Sequence, residues 1–588
     1  MQLPPKHRAL SKRFGGKALV ASAIVLGASR VSAQSVDSIA AALDSLPCDG
    51  LVVQSIDVET SKPAFKGGLA WWRKTARLFG LHHQTTSRGL VRRFVSLDPG
   101  RGCTEFRRSE SERILRSMPF LADASVKTQR VGSRILVDVS TIDEVPVIIG
   151  GRLRTTSVQA VNLGTLNAMG AGLRLEGSWV DGGTYRDGYG FEVGHRQLFG
   201  RPYSIFVDAA QRPLGDYYVA SVNHPFYTDL QKVAWHTGYG SSRDFVRLRR
   251  PDRTELLQPV DRSIWNVGGV LRFGPPHKLG LIGGMILGER VEPHHEFRLV
   301  DTTTGGSAPT TDTVGVRYFP TYDATSIAGV LGVRALTYVK VRGLDALEAE
   351  QDVATGGQAG LMWGFDPWAL APLRESFASV DVYMAQQKGR SVVGIRLDAE
   401  TLLDLEQHTW RHMVAGGRAA WYLQPNDRWV SELAIEGAGV WRPIVPFQLE
   451  LGDRSGGLRG YGRAHEVGGQ RLLARLEHRV DLWRYRENRA ALGAGAFLDA
   501  GNVWQGDVPF GVSTPIRTSI GVAALAAVPA NSKRTIRVEL AVPFHRATGA
   551  RPEVRFGIRE PVRGFWFEPL GLRWARLSSV PEEIFDWP

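Results

Sequence analysis

The sequence lacks long apolar runs. Hydrophobic residues make up 43% of its 588 residues, yet the mean hydropathy is only −0.15. Apolar residues are therefore interspersed with polar ones, and no internal stretch reaches the roughly 18 apolar residues that a transmembrane helix needs. We expect no membrane-spanning helix in the mature chain.

Enzyme motifs are also missing. The sequence contains no G-x-S-x-G nucleophile elbow, no Walker phosphate loop and no H-E-x-x-H zinc motif. His82-His83 and His294-His295 are adjacent pairs, and neighbours on a strand point to opposite faces, so they are poor joint metal ligands. We therefore expect no catalytic residues, no metal site and no cofactor.

The first 33 residues have the layout of a secretory signal. Five Lys and Arg residues between positions 6 and 17 form a basic region, and residues 18–28 form a short apolar run. Val31-Ser32-Ala33 then offers a small-residue cleavage site before Gln34. Because the apolar run is too short for a membrane anchor, we expect cleavage and export.

The positive charge gives no sign of nucleic-acid binding. Residues 1–33 carry six Lys and Arg and no Asp or Glu, so only about +7 of the formal net charge of +13 belongs to the exported chain. The sequence has no basic tail and no nucleic-acid module. We expect no nucleic-acid partner.

Cysteine is scarce, with Cys48 and Cys103 as the two examples. An even number of cysteines in an exported chain suits one disulfide. Two unpaired thiols are the alternative.

Residues 50–145 mix helix and strand signals, after a polar lead-in at 34–49. The pattern predicts a strand at 51–58, a short helix at 90–95, and a longer helix at 105–118 with Thr104 as its N-cap. Two further strands are predicted at 124–128 and 135–142, and Trp71-Trp72 lies in a predicted extra helical turn. The order β-α-α-β-β predicts a small α+β unit.

From residue 146 to about 562, segments of about ten residues alternate apolar and polar side chains. Residues 471–482 and 536–544 are examples whose polar face carries full charges. The pattern persists for some 400 residues behind an export signal, and lipid forbids open sheet edges. We therefore predict an outer-membrane β-barrel of about 16 antiparallel strands with a polar lumen, followed by a tail at 563–588. A secreted soluble all-β protein is the alternative.

One long predicted loop, about 442–469, contains Gly456-Gly457-Leu458-Arg459-Gly460-Tyr461. Glycines on both sides allow a tight turn that presents Arg459 at its tip. The strand alternation turns Asp499, in Phe497-Leu498-Asp499-Ala500-Gly501, and Glu477 toward the lumen. A guanidinium group matches a carboxylate bidentately, so an ion pair between loop and wall is one interpretation. A solvated turn and two unrelated luminal charges are the other.

These motifs resemble those of the BamA/TamA superfamily of outer-membrane assembly factors and their two-partner-secretion relatives. Leu458-Arg459-Gly460-Tyr461 matches the V/L-R-G-F/Y motif of the family, and Phe497-Leu498-Asp499 matches its F-x-D motif. Glu477 matches a second acidic position, and residues 50–145 resemble one polypeptide-transport-associated (POTRA) domain. The resemblance covers most of 50–560 and implies that the loop enters the barrel and is held there by Arg459, Gly460, Tyr461, Phe497, Asp499, Gly501 and Glu477.

The chain departs from the family pattern in three ways. Assembly factors usually carry several POTRA domains, whereas one is predicted here. Family barrels usually end on a strand with a terminal aromatic residue, whereas about 28 residues follow the last predicted strand at 553–559. No patatin-like domain precedes the barrel, which excludes the lipase branch of the family.

The resemblance implies a function without covalent chemistry, namely insertion of other polypeptides into the outer membrane or their translocation across it. The implied partners are outer-membrane lipid, unfolded or exported polypeptide clients, and periplasmic chaperones or accessory lipoproteins. The N-terminal unit is expected in the periplasm. Two-partner secretion of one dedicated substrate and a passive porin-like pore are the alternatives.

Overall fold

The computed structural model describes most of the chain after its N-terminal region. The described residues are 48, 50–63, 84–154, 157–182, 186–252, 254–300, 306–311, 319–367, 375–452, 456–462, 464, 466–485, 489–545, 550–559 and 570–576. The predicted signal segment, nearly all of the lead-in and the Trp71-Trp72 turn lie outside them.

The first folded unit is a three-stranded sheet with two helices. Its central strand is β3 (Arg134–Asp143), which is parallel to β1 (Val52–Ser61) and antiparallel to β2 (Leu121–Val131). The order β-α-α-β-β is the one predicted from the sequence, and Thr104 does cap the longer helix, since its Oγ1 accepts a hydrogen bond from the Arg107 amide at 3.3 Å. The elements are β1 (Val52–Ser61), α1 (Arg88–Arg93), α2 (Glu105–Ser117), β2 (Leu121–Val131) and β3 (Arg134–Asp143).

A buried core and one disulfide hold this unit together. Ile114 and Leu115 of α2 pack with Val126 of β2 and other buried residues of the sheet. Cys48 and Cys103 form a disulfide with their Cα atoms 5.3 Å apart, and both are fully buried. The bond ties the start of β1 to the start of α2.

The rest of the chain forms a closed antiparallel barrel. Consecutive long strands pair with each other, and the first and last of them, β4 (Val147–Arg154) and β27 (Glu553–Arg559), are neighbours. Four short strands lie in the loops: β13 (Arg298–Val300), β14 (Ser307–Pro309), β21 (Leu449–Glu450) and β22 (Val467–Gly468). The strands are β4 (Val147–Arg154), β5 (Ser157–Ala168), β6 (Leu173–Val180), β7 (Gly188–His195), β8 (Ser204–Arg212), β9 (Gly215–His224), β10 (Val233–Arg249), β11 (Glu255–Phe273), β12 (Leu279–Pro293), β13 (Arg298–Val300), β14 (Ser307–Pro309), β15 (Tyr322–Arg342), β16 (Glu350–Phe365), β17 (Glu375–Lys388), β18 (Ser391–Asp404), β19 (Thr409–Asn426), β20 (Trp429–Trp441), β21 (Leu449–Glu450), β22 (Val467–Gly468), β23 (Gln470–Tyr485), β24 (Ala490–Trp504), β25 (Arg517–Ala527), β26 (Thr535–Pro543) and β27 (Glu553–Arg559).

The predicted count of about 16 strands is wrong, because within the described residues the barrel has 20. Six of them, β4 to β9, lie within the short stretch 147–224. In strands such as β6 most residues are half-buried on both faces. Side chains still alternate there, but the connections are short: only two residues separate β8 from β9. Such short turns make the separate hairpins difficult to count from sequence.

The outer face of the barrel is apolar. On β15, Ile327, Leu331 and Val333 are exposed, whereas Val330 and Arg334 point inward and are buried. Exposed tryptophans lie at both ends of neighbouring strands. Outer-membrane barrels carry such girdles of aromatic residues at the two lipid–water interfaces. The exposed tryptophans include Trp410, Trp441 and Trp504 at one end and Trp429 and Trp483 at the other. Among the described helices, none is long and apolar enough to cross a membrane.

The two ends of the barrel differ. We call the end that contacts the N-terminal unit the domain end and the opposite end, which carries loop 442–469, the loop end. At the domain end the Ser87 amide donates to the Gly170 carbonyl at 2.9 Å, after β5. Ser532, between β25 and β26, donates to Glu144 at 2.8 Å. The unit is thus docked on the barrel.

Within the residues that the structure describes, three segments of the chain occupy the lumen. They are loop 442–469 from the loop end, turn 343–349 from the domain end, and the C-terminal helix α3 (Leu570–Ala575). Turn 343–349 is buried, and Arg479 of β23 donates to the Leu344 and Asp345 carbonyls at 2.5 and 3.0 Å. Barrels of roughly 16–18 strands leave an aqueous channel when nothing fills them. In this wider barrel, these three segments therefore determine how much of the lumen is left to water.

Candidate functional site

Loop 442–469 folds back on itself and enters the lumen. Its two arms pair as β21 and β22, and between them Leu458 and Tyr461 are buried against Leu473 and Val503 of the barrel wall. Tyr461 also donates a hydrogen bond from its hydroxyl to the Thr518 carbonyl at 3.0 Å. The apolar residues of the loop thus anchor the segment that carries Arg459.

Gly460 permits the turn beside Arg459. Its φ is +84°, a conformation that residues with a side chain rarely adopt. A Cβ at this position would also lie 3.1 Å from Cδ of Pro543, so the loop backbone runs against β26. The Gly460 amide donates to Glu553 at 3.2 Å, which fixes the turn at the wall of β27.

Arg459 makes a bidentate ion pair with Asp499. Its Nε and Nη2 donate to the two carboxylate oxygens of Asp499, both at 2.7 Å. Asp499 is fully buried and Arg459 nearly so. Nη1 of Arg459 also donates to Glu477 at 3.2 Å and to Glu539 at 3.3 Å. The sequence motifs named the first two of these carboxylates, and the structure adds the third.

Phe497 supports the guanidinium group from one side. Cζ of Arg459 lies 3.4 Å from the centre of the Phe497 ring, a cation–π contact in a place with little water. The ring lies over Gly521 of β25, where an added Cβ would be 2.2 Å from its Cζ. The small residue on β25 therefore leaves the space in which the ring of Phe497 packs.

The ion pairs extend beyond Arg459. Arg537 of β26 donates to Glu477 and to Glu539, both at 2.9 Å, and Arg479 lies 3.6 Å from Glu477. Three guanidinium groups thus alternate with three carboxylates. We call this set, Arg459, Arg479, Arg537, Asp499, Glu477 and Glu539, the luminal ion-pair cluster.

Gly501 has a different role from the charged residues. A Cβ there would lie 2.4 Å from Cδ2 of Leu473 and 2.8 Å from the Leu472 carbonyl, so β23 and β24 approach too closely at this point for a side chain. The glycine leaves space for the Leu473 side chain beside the strand that carries Asp499.

The luminal ion-pair cluster is suited to holding a loop. Buried charges are tolerated only when they are paired and hydrogen-bonded, and removing one partner leaves the other uncompensated. Among the described residues, no group of three or more His, Cys, Asp or Glu side chains is placed to hold a metal ion.

Charged residues also join the N-terminal unit to the barrel. Arg116 of α2 makes a bidentate pair with Asp352 of β16, with distances of 2.9 and 2.6 Å. Glu112, one turn earlier on α2, contacts Lys340 of β15 and accepts from the Val126 amide at 3.1 Å. Burial alone would raise the pKa of Glu112, but these hydrogen bonds outweigh it and lower the pKa to about 2.

Asp352 and Lys340 flank turn 343–349, which enters the lumen and meets Arg479. A continuous set of contacts therefore leads from α2, through this turn, to the luminal ion-pair cluster.

No family model and no curated protein sequence matches the chain. Among solved structures, the chain is similar to BamA from Haemophilus ducreyi lacking POTRA domains 1–3, with 13% identity, a TM-score of 0.39, and coverage of 86% of this chain and 84% of that one. It is similar to CdiB from Escherichia coli, with 11% identity, a TM-score of 0.44, and coverage of 87% and 76%. It is similar to CdiB from Acinetobacter baumannii, with 8% identity, a TM-score of 0.39, and coverage of 87% and 73%.

BamA belongs to the superfamily that the Arg459 and Asp499 motifs resemble.

Proposed function

We propose that this protein inserts other polypeptides into the outer membrane or passes them across it. The bidentate contact of Arg459 with Asp499 is the observation that carries the proposal. It holds a loop of the chain inside a wide barrel, at the position where the resembling family has its loop motif and its acidic strand motif.

A filled lumen disfavours the passive pore. A diffusion pore needs a continuous water path, yet Leu458, Tyr461 and Leu344 are buried inside this barrel. Ion pairs that fix a loop across the lumen stabilise a closed state, which suits a transporter that opens only when a client is present.

The docked N-terminal unit supplies a place for a client to bind. In this proposal it acts as a POTRA-like domain in the periplasm, and the loop end faces outward. Strand β2 lies at one edge of its sheet. The amide and carbonyl of Val126 are already bonded to Glu112 and Arg108 of α2, so an extended segment of a client would pair through backbone hydrogen bonds with the part of β2 that follows Val126. A passive pore has no use for such a unit.

The seam between β4 and β27 is the place at which an arriving strand would meet the barrel. These strands have eight and seven residues, compared with 21 in β15, so few backbone hydrogen bonds are available to hold them together. The seam therefore costs less to open than a long strand pair.

Reconstitution of the full chain into liposomes tests the proposal. One sample receives an unfolded outer-membrane barrel, whose folding is followed by gel mobility, and another receives an unfolded exported polypeptide, whose protection from protease is followed. We expect the protein to accelerate folding of the first or to protect the second, relative to protein-free liposomes. No effect on either polypeptide would contradict the proposal.

A further inference from the structure

The chain after the last barrel strand returns into the lumen. Strand β27 ends with Arg559, which pairs with Thr535 at the domain end. Helix α3 nevertheless packs near the loop end, where Leu572 and Ala575 join a buried cluster with Val414 and Val440. Ten residues separate β27 from α3, enough to span roughly 33–36 Å when extended.

The apolar side of α3 fits a ready-made recess. Leu572 and Ala575 are three positions apart and therefore lie on one helix face, and both are fully buried. Their neighbours include Phe447 and Leu449 of loop 442–469 and Val508 of the next loop. The recess is thus made by the barrel wall and by two loops together.

Charge complementarity fixes the end of the helix. Arg576 forms an ion pair with Asp398 of β18 and lies 3.5 Å from Glu400 of the same strand. Arg573, three residues earlier, is exposed. One arginine of this segment is therefore bound to the wall, and the other is not buried.

Donors on the wall satisfy the last carbonyls of α3. Nε2 of His412 lies 2.6 Å from the Ala575 carbonyl, so this nitrogen carries the proton. Arg262 donates to the Arg576 carbonyl and is itself held by Glu289 at 2.7 Å. The unpaired carbonyls of a helix end usually need such partners, and here the barrel provides them.

A helix of six residues is not stable on its own in water. The order of α3 therefore comes from the recess, the acidic pair on β18 and the donors on β11 and β19. These features form a built binding site for a short segment with two apolar residues and a terminal arginine.

We propose that residues 570–576 are an internal plug, and that their release opens the lumen to ions and small solutes. The plug is separate from the Arg459 contact and acts on another part of the wall. The proposal does not depend on polypeptide handling, because ion conductance measures it directly.

Conductance of the full chain in planar lipid bilayers tests the plug. We expect Arg576→Glu, and deletion of 570–588, to raise the open conductance several-fold, whereas Arg573→Glu leaves it at the level of the unmodified protein. Arg576→Glu combined with Asp398→Arg restores the ion pair with reversed charges and should return the conductance toward the original level. Equal conductance in all these proteins would overturn the proposal.

Thiol labelling gives a second, independent measurement. The introduced thiol of Ala575→Cys should react slowly with a water-soluble maleimide, because that side chain is buried. The thiol of Arg573→Cys should react quickly, because that side chain is exposed. Adding Arg576→Glu should accelerate labelling at 575 at least to the rate at 573. Rapid labelling at 575 in the otherwise unmodified chain would show that the helix does not occupy its site, whatever the conductance.

Discussion

Arg459 is a charge that the lumen tolerates because three carboxylates and an aromatic ring surround it. Its partners are not equivalent. Asp499 is fully buried and takes both of its hydrogen bonds from Arg459, whereas Glu477 and Glu539 also pair with Arg537. Removing Arg459 therefore takes away the donor of both hydrogen bonds to the buried Asp499. Removing Asp499 leaves Arg459 with two acidic neighbours.

This asymmetry predicts a non-additive mutant series. Arg459→Ala should lower the free energy of unfolding by about 3–5 kcal/mol, because it leaves a buried charge without a partner. Asp499→Ala should cost somewhat less, and the double variant should be little worse than Arg459→Ala. Urea unfolding in detergent, followed by gel mobility, measures the free energy, and protease cleavage within 442–469 reports loop docking.

Arg517→Ala is the matched control for this series. Arg517 pairs with Glu466 of the same loop at 3.0 Å but has no part in the luminal ion-pair cluster. We expect the barrel to assemble in every variant. Additive losses for Arg459→Ala and Asp499→Ala, or an equal loss for Arg517→Ala, would mean that the bidentate contact is not what holds the loop.

Gly501 and Gly557 offer a matched pair of glycine substitutions. A Cβ at 501 would lie 2.4 Å from Leu473 and 2.8 Å from a backbone carbonyl, whereas a Cβ at 557 would meet nothing within 4 Å. We expect Gly501→Ala to destabilise the barrel by about 1–3 kcal/mol through overpacking, and Gly557→Ala to have little effect. Equal unfolding midpoints in urea would refute the close approach of β23 and β24.

The sequence identified part of the luminal ion-pair cluster and missed the rest. Strand alternation and the motifs placed Asp499 and Glu477 on the luminal face, opposite Arg459. Glu539 and Arg537 were also on a polar face, but alternation within one strand says nothing about the stagger between strands. Small luminal residues of β25, such as Gly521, allow side chains two strands apart to meet.

At the scale of elements, α2 does two things at once. Its apolar residues pack on the sheet of the N-terminal unit, and its charged residues bind Asp352 and Lys340 of the barrel. The pKa of Glu112, lowered to about 2, means that its folded carboxyl binds a proton more weakly than a free one. Its stabilising contribution is therefore complete above pH 4.5 and is lost as the pH falls from 4.5 toward 2.

Glu112→Gln should destabilise α2, because Glu112 contacts Arg108, Arg116 and the Val126 amide of its own unit as well as Lys340 of the barrel. Hydrogen bonds to charged groups contribute about 1.5–3 kcal/mol each, so we expect a loss of about 2 kcal/mol at neutral pH. Hydrogen exchange of the α2 amides in the full chain, corrected for intrinsic rates, should then be roughly thirty-fold faster. Unmodified protein should approach the variant as the pH is lowered below 4.5.

Glu105→Gln is the control for this experiment, because Glu105 pairs with Arg108 of its own helix. It should change the exchange much less than Glu112→Gln does. If both variants exchange alike, or if the difference between the unmodified protein and the Glu112→Gln variant does not shrink in acid, the contacts of the Glu112 carboxylate do not stabilise α2.

The disulfide predicts a redox-dependent N-terminal unit. Closing a loop of 55 residues stabilises a fold by about 4 kcal/mol in the chain-entropy model. The Cys48→Ser/Cys103→Ser variant should therefore lose protection of 84–143 against protease, while the barrel keeps its gel mobility. Equal protease resistance with and without the disulfide would show that packing alone holds the unit.

Local sequence signals predicted the N-terminal elements well, because capping and turn residues lie next to the elements that they begin or end. Thr104, the N-cap of α2, is an example. Local signals failed elsewhere in the chain. The number of barrel strands was underestimated, because turns such as the two-residue connection between β8 and β9 give little signal in the sequence. Helix α3 is too short to show a periodic pattern, and its order depends on Asp398, His412 and a recess that exists only in the folded barrel.

At the scale of the whole molecule, the described part of the chain forms a barrel of 20 strands whose lumen is occupied by three of its own segments. Loop 442–469 is bound to the wall by the ion pair of Arg459 with Asp499. Turn 343–349 accepts hydrogen bonds from Arg479, and α3 is bound by the ion pair of Arg576 with Asp398. The turn also contacts the docked N-terminal unit through its flanking residues. A client that binds this unit at the domain end thus acts next to a segment that reaches the luminal ion-pair cluster.

Depletion of the protein in its native cells, followed by quantitative proteomics of the outer membrane and of exported proteins, tests the central claim most directly. The account predicts that other proteins are lost from these fractions: broad loss of barrel proteins indicates insertion, and loss of one exported protein indicates dedicated secretion. Re-expression of the unmodified chain should restore them, and Arg459→Ala should restore them less well than Arg517→Ala. An unchanged set of outer-membrane and exported proteins after complete depletion would contradict the account and favour a passive pore.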